Sequence, residues 1–99
     1  MRSPAERWKD RVTRLGCVVC YFGRGTLERT PAELHHVAEN SGLRSDFAIA
    51  PLCQEHHRGA SGLHGMGTKA FIRLWRPPGD SEYGLLIWTC ELMARSNTL

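Results

Sequence analysis

The chain has 99 residues, of which 13 are Lys or Arg and 10 are Asp or Glu, giving a net charge of +3. This length supports one domain, and a core this small needs a further constraint such as disulfides or a structural metal. The charge is too mild to identify a partner, although a basic face favours phosphate.

The chain has no apolar stretch of the length that a membrane span requires. It starts at Met1 without the apolar run of a signal peptide. We therefore expect a complete single domain over residues 1–99, in the cytoplasm and without a membrane partner. Because free thiols and metal thiolates outlast disulfides there, the four cysteines are interpreted first as metal ligands.

The first predicted element is a helix over residues 3–15. Ser3 and Glu6 have the spacing of a capping box, and Pro4 suits the first helical position. Gly16 is positioned to end the helix. One predicted face is apolar and a second is basic: Ala5, Trp8, Val12 and Leu15 on the first, Arg7, Arg11 and Arg14 on the second.

The middle of the chain predicts a turn, two short strands and a short helix. The turn and the strands are predicted at residues 17–20, 33–37 and 47–52. The helix begins at Cys53 and carries His56 and His57. Four glycines within residues 59–67 predict a flexible loop, which also carries His64.

Two further helices are predicted before the C-terminus. Thr68 can cap a helix over residues 69–75, which residues 77–79, Pro-Pro-Gly, bring to an end. Its inward residues are predicted to be Phe71, Leu74 and Trp75, and its outward residues Lys69, Arg73 and Arg76. The last helix begins at Asp80 or Ser81 and ends near residue 94, with an apolar side formed by Leu85, Trp88, Leu92 and Met93. This order of elements predicts an α+β fold.

Two short motifs have the spacing of bidentate metal ligands. Cys17 and Cys20 form a C-x-x-C pair, and Cys53 and His56 form a C-x-x-H pair. Three sulfurs and one nitrogen suit a closed tetrahedral zinc site, which contributes directly to folding. The alternatives are buried thiols beside an exposed histidine, and a redox C-x-x-C, which lacks its usual strand–turn–helix context. Cys90 fits a small core residue in the last helix.

All five histidines lie within residues 35–64. His35 and His36 are neighbours on a predicted strand, so their side chains face opposite sides. His57 directly follows the zinc ligand His56, so the zinc site fixes its position. Together with His64, this set favours a second metal site over a group of solvated surface histidines.

The motifs resemble those of the HNH nucleases, which combine a ββα-metal fold with a zinc knuckle. The segments AELHHV, SDFAIAPLCQEHHRG and GLHGMGTKAF are more specifically similar to the phage recombination-enhancement family, the RecA-dependent nucleases. The similarity covers about residues 14–75. It implies a small HNH-like core flanked by an N-terminal helix and two C-terminal helices, acting in the host cytoplasm if the chain is phage-encoded.

The resemblance implies a metal-dependent DNA endonuclease that hydrolyses phosphodiester bonds in phage recombination or DNA processing. His36 would be the general base, for which an unperturbed pKa of ~6.5 is suitable. His35, His57 and His64 would hold one catalytic Mg²⁺, Mn²⁺ or Zn²⁺ ion, which acts as a Lewis acid. The structural zinc ligands would be Cys17, Cys20, Cys53 and His56.

The HNH pattern usually includes an Asn shortly before the second strand. Here that window is Asp46-Phe47-Ala48, and Asn40 lies too early to fill the slot. Asp46 is the candidate replacement, as a hydrogen-bond acceptor.

Arg58, Lys69 and Arg73 are candidate contacts to the DNA backbone, with Arg76 and the arginines of the first helix as further candidates. Such contacts position DNA without reading its sequence. The family resemblance also implies RecA-coated single-stranded DNA as a partner. Two alternatives remain open: a non-catalytic zinc-stapled module that binds DNA or protein, and a phage structural or assembly protein that uses zinc only to fold.

Overall fold

The protein is described here by a computed structural model covering residues 2–38, 42 and 44–96. It is an α+β structure with a two-stranded antiparallel sheet, which confirms the α+β part of the predicted fold. The elements in chain order are α1 (Pro4–Leu15), a π-helical turn (Val19–Gly23), β1 (Glu33–His36), β2 (Ile49–Leu52), α2 (Gln54–Arg58), α3 (Leu63–Met66), α4 (Thr68–Trp75), a 3-10 turn (Pro78–Asp80) and α5 (Tyr83–Ser96).

Helix α1 begins and ends as its sequence predicts. The Ser3 hydroxyl accepts a hydrogen bond from the backbone N–H of Glu6 at 3.2 Å, and the Glu6 carboxylate accepts one from the Ser3 N–H at 2.8 Å. These bonds satisfy two backbone donors and lower the pKa of Glu6. Gly16, with φ at +80°, ends the helix.

The sheet pairs His35 with Ala50 and His36 with Ile49. All of β2 is buried because α1 and α5 pack against it. Both strands are shorter than predicted, and Phe47, which is 56% exposed, precedes β2. Along β1, His35 is buried and His36 is partly exposed, as expected for neighbours on opposite faces of a strand.

The core lies between the sheet and the helices. Two residues that were predicted to belong to it are exposed instead. Leu74 is 55% exposed, whereas Ile72 is buried, because the inward face of α4 follows positions 71, 72 and 75. Cys90 is exposed on α5 rather than part of the core. The fully or nearly fully buried apolar residues include Val12, Val18, Val19, Ile49, Leu52, Leu63, Phe71 and Leu85.

The glycine-rich segment is folded, so the prediction of a flexible loop is wrong. Residues Leu63–Met66 form α3, which packs against α2 and α4. A Cβ atom on Gly62 would collide with the carbonyl oxygen of Glu55, and one on Gly65 would collide with that of Gly59. These glycines are therefore required for close approach of the backbone, and they hold His64 beside α2.

The C-terminal helices differ from the prediction mainly at their starts. Gly67, not Thr68, is the N-cap of α4, and no side chain caps it. The last helix begins at Tyr83, after the 3-10 turn, and buries the predicted residues Leu85, Trp88, Leu92 and Met93. Among the residues that the structure describes, no helix has the length and apolar character needed to cross a membrane.

Candidate metal centres

Cys17, Cys20, Cys53 and His56 converge, and we call them the sulfur-rich cluster. The two pairs come from the chain after α1 and from the start of α2. His56 Nδ1 lies 3.5 Å from Cys17 Sγ, 3.5 Å from Cys20 Sγ and 3.2 Å from Cys53 Sγ. The Sγ atoms of Cys20 and Cys53 are 3.8 Å apart.

These separations fit one tetrahedrally coordinated zinc ion. Zn–S and Zn–N bonds of about 2.3 and 2.0–2.1 Å at tetrahedral angles place two sulfurs about 3.8 Å apart and a sulfur and a nitrogen about 3.5 Å apart. The observed distances match both values to within a few tenths of an ångström. The cluster is therefore a candidate metal site compatible with structural zinc.

Burial shapes the protonation of this cluster. It raises the pKa of the Cys17 thiol to about 12, so a bound metal must displace the thiol proton at neutral pH. Burial also lowers the pKa of His56, and the charge of Arg24 adds to that effect. A neutral imidazole is the form that binds metal.

His35, His57 and His64 form a second group, which we call the histidine cluster. One ligand nitrogen from each lies within 4.8 Å of the other two. The ring centroids are 5.5 Å apart for His35 and His57, 5.4 Å for His35 and His64, and 4.8 Å for His57 and His64. His35 is buried, His57 is half-buried and His64 is exposed, so the cluster opens to solvent at His64.

Glu33 orients His57. Its carboxylate accepts a hydrogen bond from His57 Nδ1 at 2.8 Å and two from Arg58, at 2.9 Å from Nε and 2.6 Å from Nη2. The Arg58 hydrogen bonds, followed by that of His57, lower the pKa of Glu33 to about 2. Nε2 of His57 is left for the histidine cluster. Arg58 is already paired with Glu33. Its contact with DNA stays a prediction.

The pKa of His64 is lowered, first by partial desolvation of its ring within an otherwise exposed residue and then by the nearby His35 and His57. The lowered pKa favours the neutral imidazole, which is the form that binds metal. Its helix, α3, follows α2 directly and is held against it by the glycines described above.

His35 contacts a residue that the sequence did not single out. Its Nε2 lies 2.6 Å from Oε2 of Glu82, which precedes α5, and both side chains are buried. The two residues are 47 positions apart, so no local spacing pattern could have revealed the pair.

His36 lies on the other face of β1, with a different set of partners. Its Nε2 donates a hydrogen bond to Asp46 Oδ1 at 2.9 Å, and Nη2 of Arg44 lies 3.3 Å from its Nδ1. The His36 hydrogen bond, followed by that of Lys9, lowers the pKa of Asp46, so this carboxylate is ionised at neutral pH. Asp46 is thus a hydrogen-bond acceptor for His36, and its role as a replacement for the HNH Asn stays a prediction; Asn40 lies outside the described residues.

A cleft of about 460 Å³ lies between α4 and the segment that leads into α5. Lys69 and Arg73 line it, and Arg76 lines it while pairing with Asp80 at 3.1 Å. Glu82 also lines the cleft, so the cleft reaches the residue that contacts His35.

The fold and the two clusters define a small α+β protein with two candidate metal sites joined by one short helix. A family model described as recombination enhancement, RecA-dependent nuclease, matches residues 4–93, and the chain belongs to this family. The family name implies a nuclease that acts in recombination, with DNA and RecA-related partners. The match extends beyond residues 14–75 into α5. No match was found among curated proteins or among solved structures.

Proposed function

We propose that this protein is a metal-dependent DNA endonuclease of the HNH type, folded as a single domain. The observation that carries the proposal is the convergence of His35, His57 and His64 on β1, α2 and α3. Strands β1 and β2 followed by α2 provide the ββα order of such a core. His36 adjoins His35 on β1, and its side chain lies on the other face of the strand.

The histidine cluster would hold one divalent ion, Mg²⁺, Mn²⁺ or Zn²⁺. Three protein ligands leave coordination positions open for water and substrate, whereas the four ligands of the sulfur-rich cluster close its site. When bound, the ion supplies Lewis-acid stabilisation of the phosphate and of the leaving oxygen. Imidazole donors suit zinc and other transition metals better than magnesium, which prefers oxygen.

His36 is the proposed general base. The Asp46 carboxylate accepts a hydrogen bond from the Nε2–H of His36, which favours this tautomer and leaves the Nδ1 lone pair as the proton acceptor. In the structure that lone pair faces Arg44, across 3.3 Å in an exposed position. The base can act once Arg44 turns away, and an incoming phosphate gives its guanidinium a competing partner.

Lys69 and Arg73 are the proposed backbone contacts, because both line the cleft that is also lined by Glu82, the partner of His35. Arg76 contributes less, since Asp80 already compensates its charge. Contacts of this kind give little sequence specificity. The substrate in this proposal is DNA, including single strands coated by RecA, inside the cytoplasm of a phage-infected cell.

One observation favours the alternative of a non-catalytic zinc-stapled module that binds DNA or protein. Both ring nitrogens of His36 already have partners, Asp46 and Arg44, as a purely structural histidine would. In that case the protein binds without cleaving, and removal of the His36 ring changes binding or stability only.

Cleavage of supercoiled plasmid and of single-stranded DNA, with and without RecA and ATP, tests the proposal in Mg²⁺, Mn²⁺ or Zn²⁺. We expect metal-dependent cleavage, reduced about 10²- to 10⁴-fold in His36→Ala while the metal content is unchanged. Asp46→Asn retains an acceptor oxygen and should lose less activity. Unchanged cleavage in His36→Ala would disprove the assignment of the base. Binding without cleavage under every condition would favour the alternative.

A further inference from the structure

Glu82 is a buried acidic residue that the proposed mechanism does not use. Only 11% of its side chain and 6% of that of His35 is exposed. The other buried polar side chains of the described residues are two histidines and a threonine. Burying a carboxylate costs free energy unless it is paired and hydrogen-bonded, and Glu82 meets this requirement through His35.

A structural role is a weak explanation for this pair. A buried ion pair or hydrogen-bonded pair seldom stabilises a protein more than apolar residues of similar volume do. Position 82 lies at the start of a helix whose next turn is apolar, and Leu85 beside it is completely buried. An apolar residue would suit this position if packing were the only requirement, so the carboxylate points to an interaction with His35 itself.

Glu82 is hydrogen-bonded to His35 in the same way that Glu33 is hydrogen-bonded to His57. In each case a carboxylate lies within 2.8 Å of one ring nitrogen of a histidine in the histidine cluster. Metal-binding histidines commonly donate their second N–H to a carboxylate, which fixes the tautomer and the ring orientation. The group of ligand atoms within 4.8 Å of one another comprises the three histidines and not Glu82, so its carboxylate lies outside this donor set.

We propose that Glu82 is a positioning residue of the histidine cluster. Its carboxylate accepts a hydrogen bond from the Nε2–H of His35, which leaves Nδ1 as the nitrogen that would bind the divalent ion. This inference rests on the proposed function, because it assigns a role toward the ion held there. It also makes the segment before α5 part of the site, although the resemblance rested on residues 14–75.

The test is the affinity of the histidine cluster for a divalent ion, measured by titrating the zinc-loaded full chain with Co²⁺ and following calorimetry and visible absorption. We expect Glu82→Ala to weaken Co²⁺ binding about 10- to 100-fold. Glu82→Gln keeps an acceptor oxygen and a similar shape, so its Co²⁺ affinity should lie between those of Glu82→Ala and the unmodified chain. DNA cleavage by this variant should be restored as the metal concentration is raised. The sulfur-rich cluster should retain its zinc in both variants.

Glu91→Gln is the matched control, since Glu91 is an exposed acidic residue on α5 that pairs with Arg95. Its affinity for Co²⁺ should equal that of the unmodified chain. If Glu82→Ala does not fold, Glu82→Gln decides. Unchanged Co²⁺ affinity in Glu82→Gln, with binding still abolished by His57→Ala, would overturn this inference and leave the proposed function standing. Absence of any His57-dependent Co²⁺ binding in the unmodified chain would overturn both.

Discussion

The sulfur-rich cluster and the histidine cluster differ in access although consecutive residues of α2 belong to them. His56 is 2% exposed and lies among three sulfurs, whereas His57 is half-buried beside the exposed His64. The first cluster has four donors at tetrahedral separations and no room for a substrate. The second has three donors and an open side. One short helix therefore supplies a side chain both to a candidate structural metal site and to a candidate catalytic site.

The two clusters also differ in charge. With zinc bound, three thiolates and one imidazole would give a net charge near −1, whereas three neutral imidazoles would leave a divalent ion near +2 before the adjoining Glu82 carboxylate is counted. The lowered pKa of His64 is consistent with the neutral form. If both sites hold metal as proposed, an anionic phosphodiester would be attracted to the histidine cluster and not to the sulfur-rich cluster.

The largest expected effect is the loss of a ligand from the sulfur-rich cluster. In Cys53→Ala, or after strong chelation, we expect zinc to be lost and the chain to unfold. Structural zinc sites contribute roughly 10–16 kcal/mol in small peptides, which is comparable with the whole stability of a domain, about 5–15 kcal/mol. Circular dichroism and elemental analysis measure the result. Cys90→Ser, at an exposed cysteine, should change the free energy of unfolding by no more than about 0.5 kcal/mol.

A change at the neighbouring histidine should separate chemistry from folding. We expect His57→Ala to lose the ion of the histidine cluster and to slow DNA cleavage more than about 10²-fold, since a Lewis acid contributes several kcal/mol. The structural zinc and the circular dichroism spectrum should remain. Gln54→Ala, an exposed position on the same helix, serves as the control. Unfolding of His57→Ala would show that the two clusters are not independent.

A smaller effect, on DNA affinity, is expected from changes at the cleft residues that we propose to contact DNA. Replacing both Lys69 and Arg73 with Ala should weaken DNA binding and reduce the slope of log K against log salt by about 1.4–1.8, as two phosphate contacts are lost. Cleavage at saturating DNA should change little. The paired control is Arg11→Ala with Arg14→Ala on α1, also exposed. A larger change in that control would place the DNA on α1 instead.

The sequence predicted those features that depend on nearby residues. Ser3, Glu6 and Gly16 determine the ends of α1 through backbone hydrogen bonds within a few residues. The C-x-x-C and C-x-x-H pairs each lie on one turn, and their convergence follows once both pairs bind one ion. Local spacing therefore accounts for most of the helices and for the sulfur-rich cluster.

Features that depend on distant packing could not be predicted in the same way. Glu82 meets His35 only because α5 packs on β2, and Leu74 is exposed because the core contacts α4 along another face. Glycines suggested a flexible loop, since their number shows conformational freedom but not close contact. The fold uses them for contact, which a single sequence does not reveal.

The position of helix α3 depends on glycine residues that have no Cβ atom. The backbone of Gly65 runs against the carbonyl oxygen of Gly59 with no space for even one methyl group. Any larger residue at position 65 would push α3 away from Gly59 and would displace the imidazole of His64, which lies on the same helix. The position of His64 thus depends on the close approach of two glycine backbones. A substitution at Gly65 changes no metal ligand, yet it would leave the proposed ion with only His35 and His57.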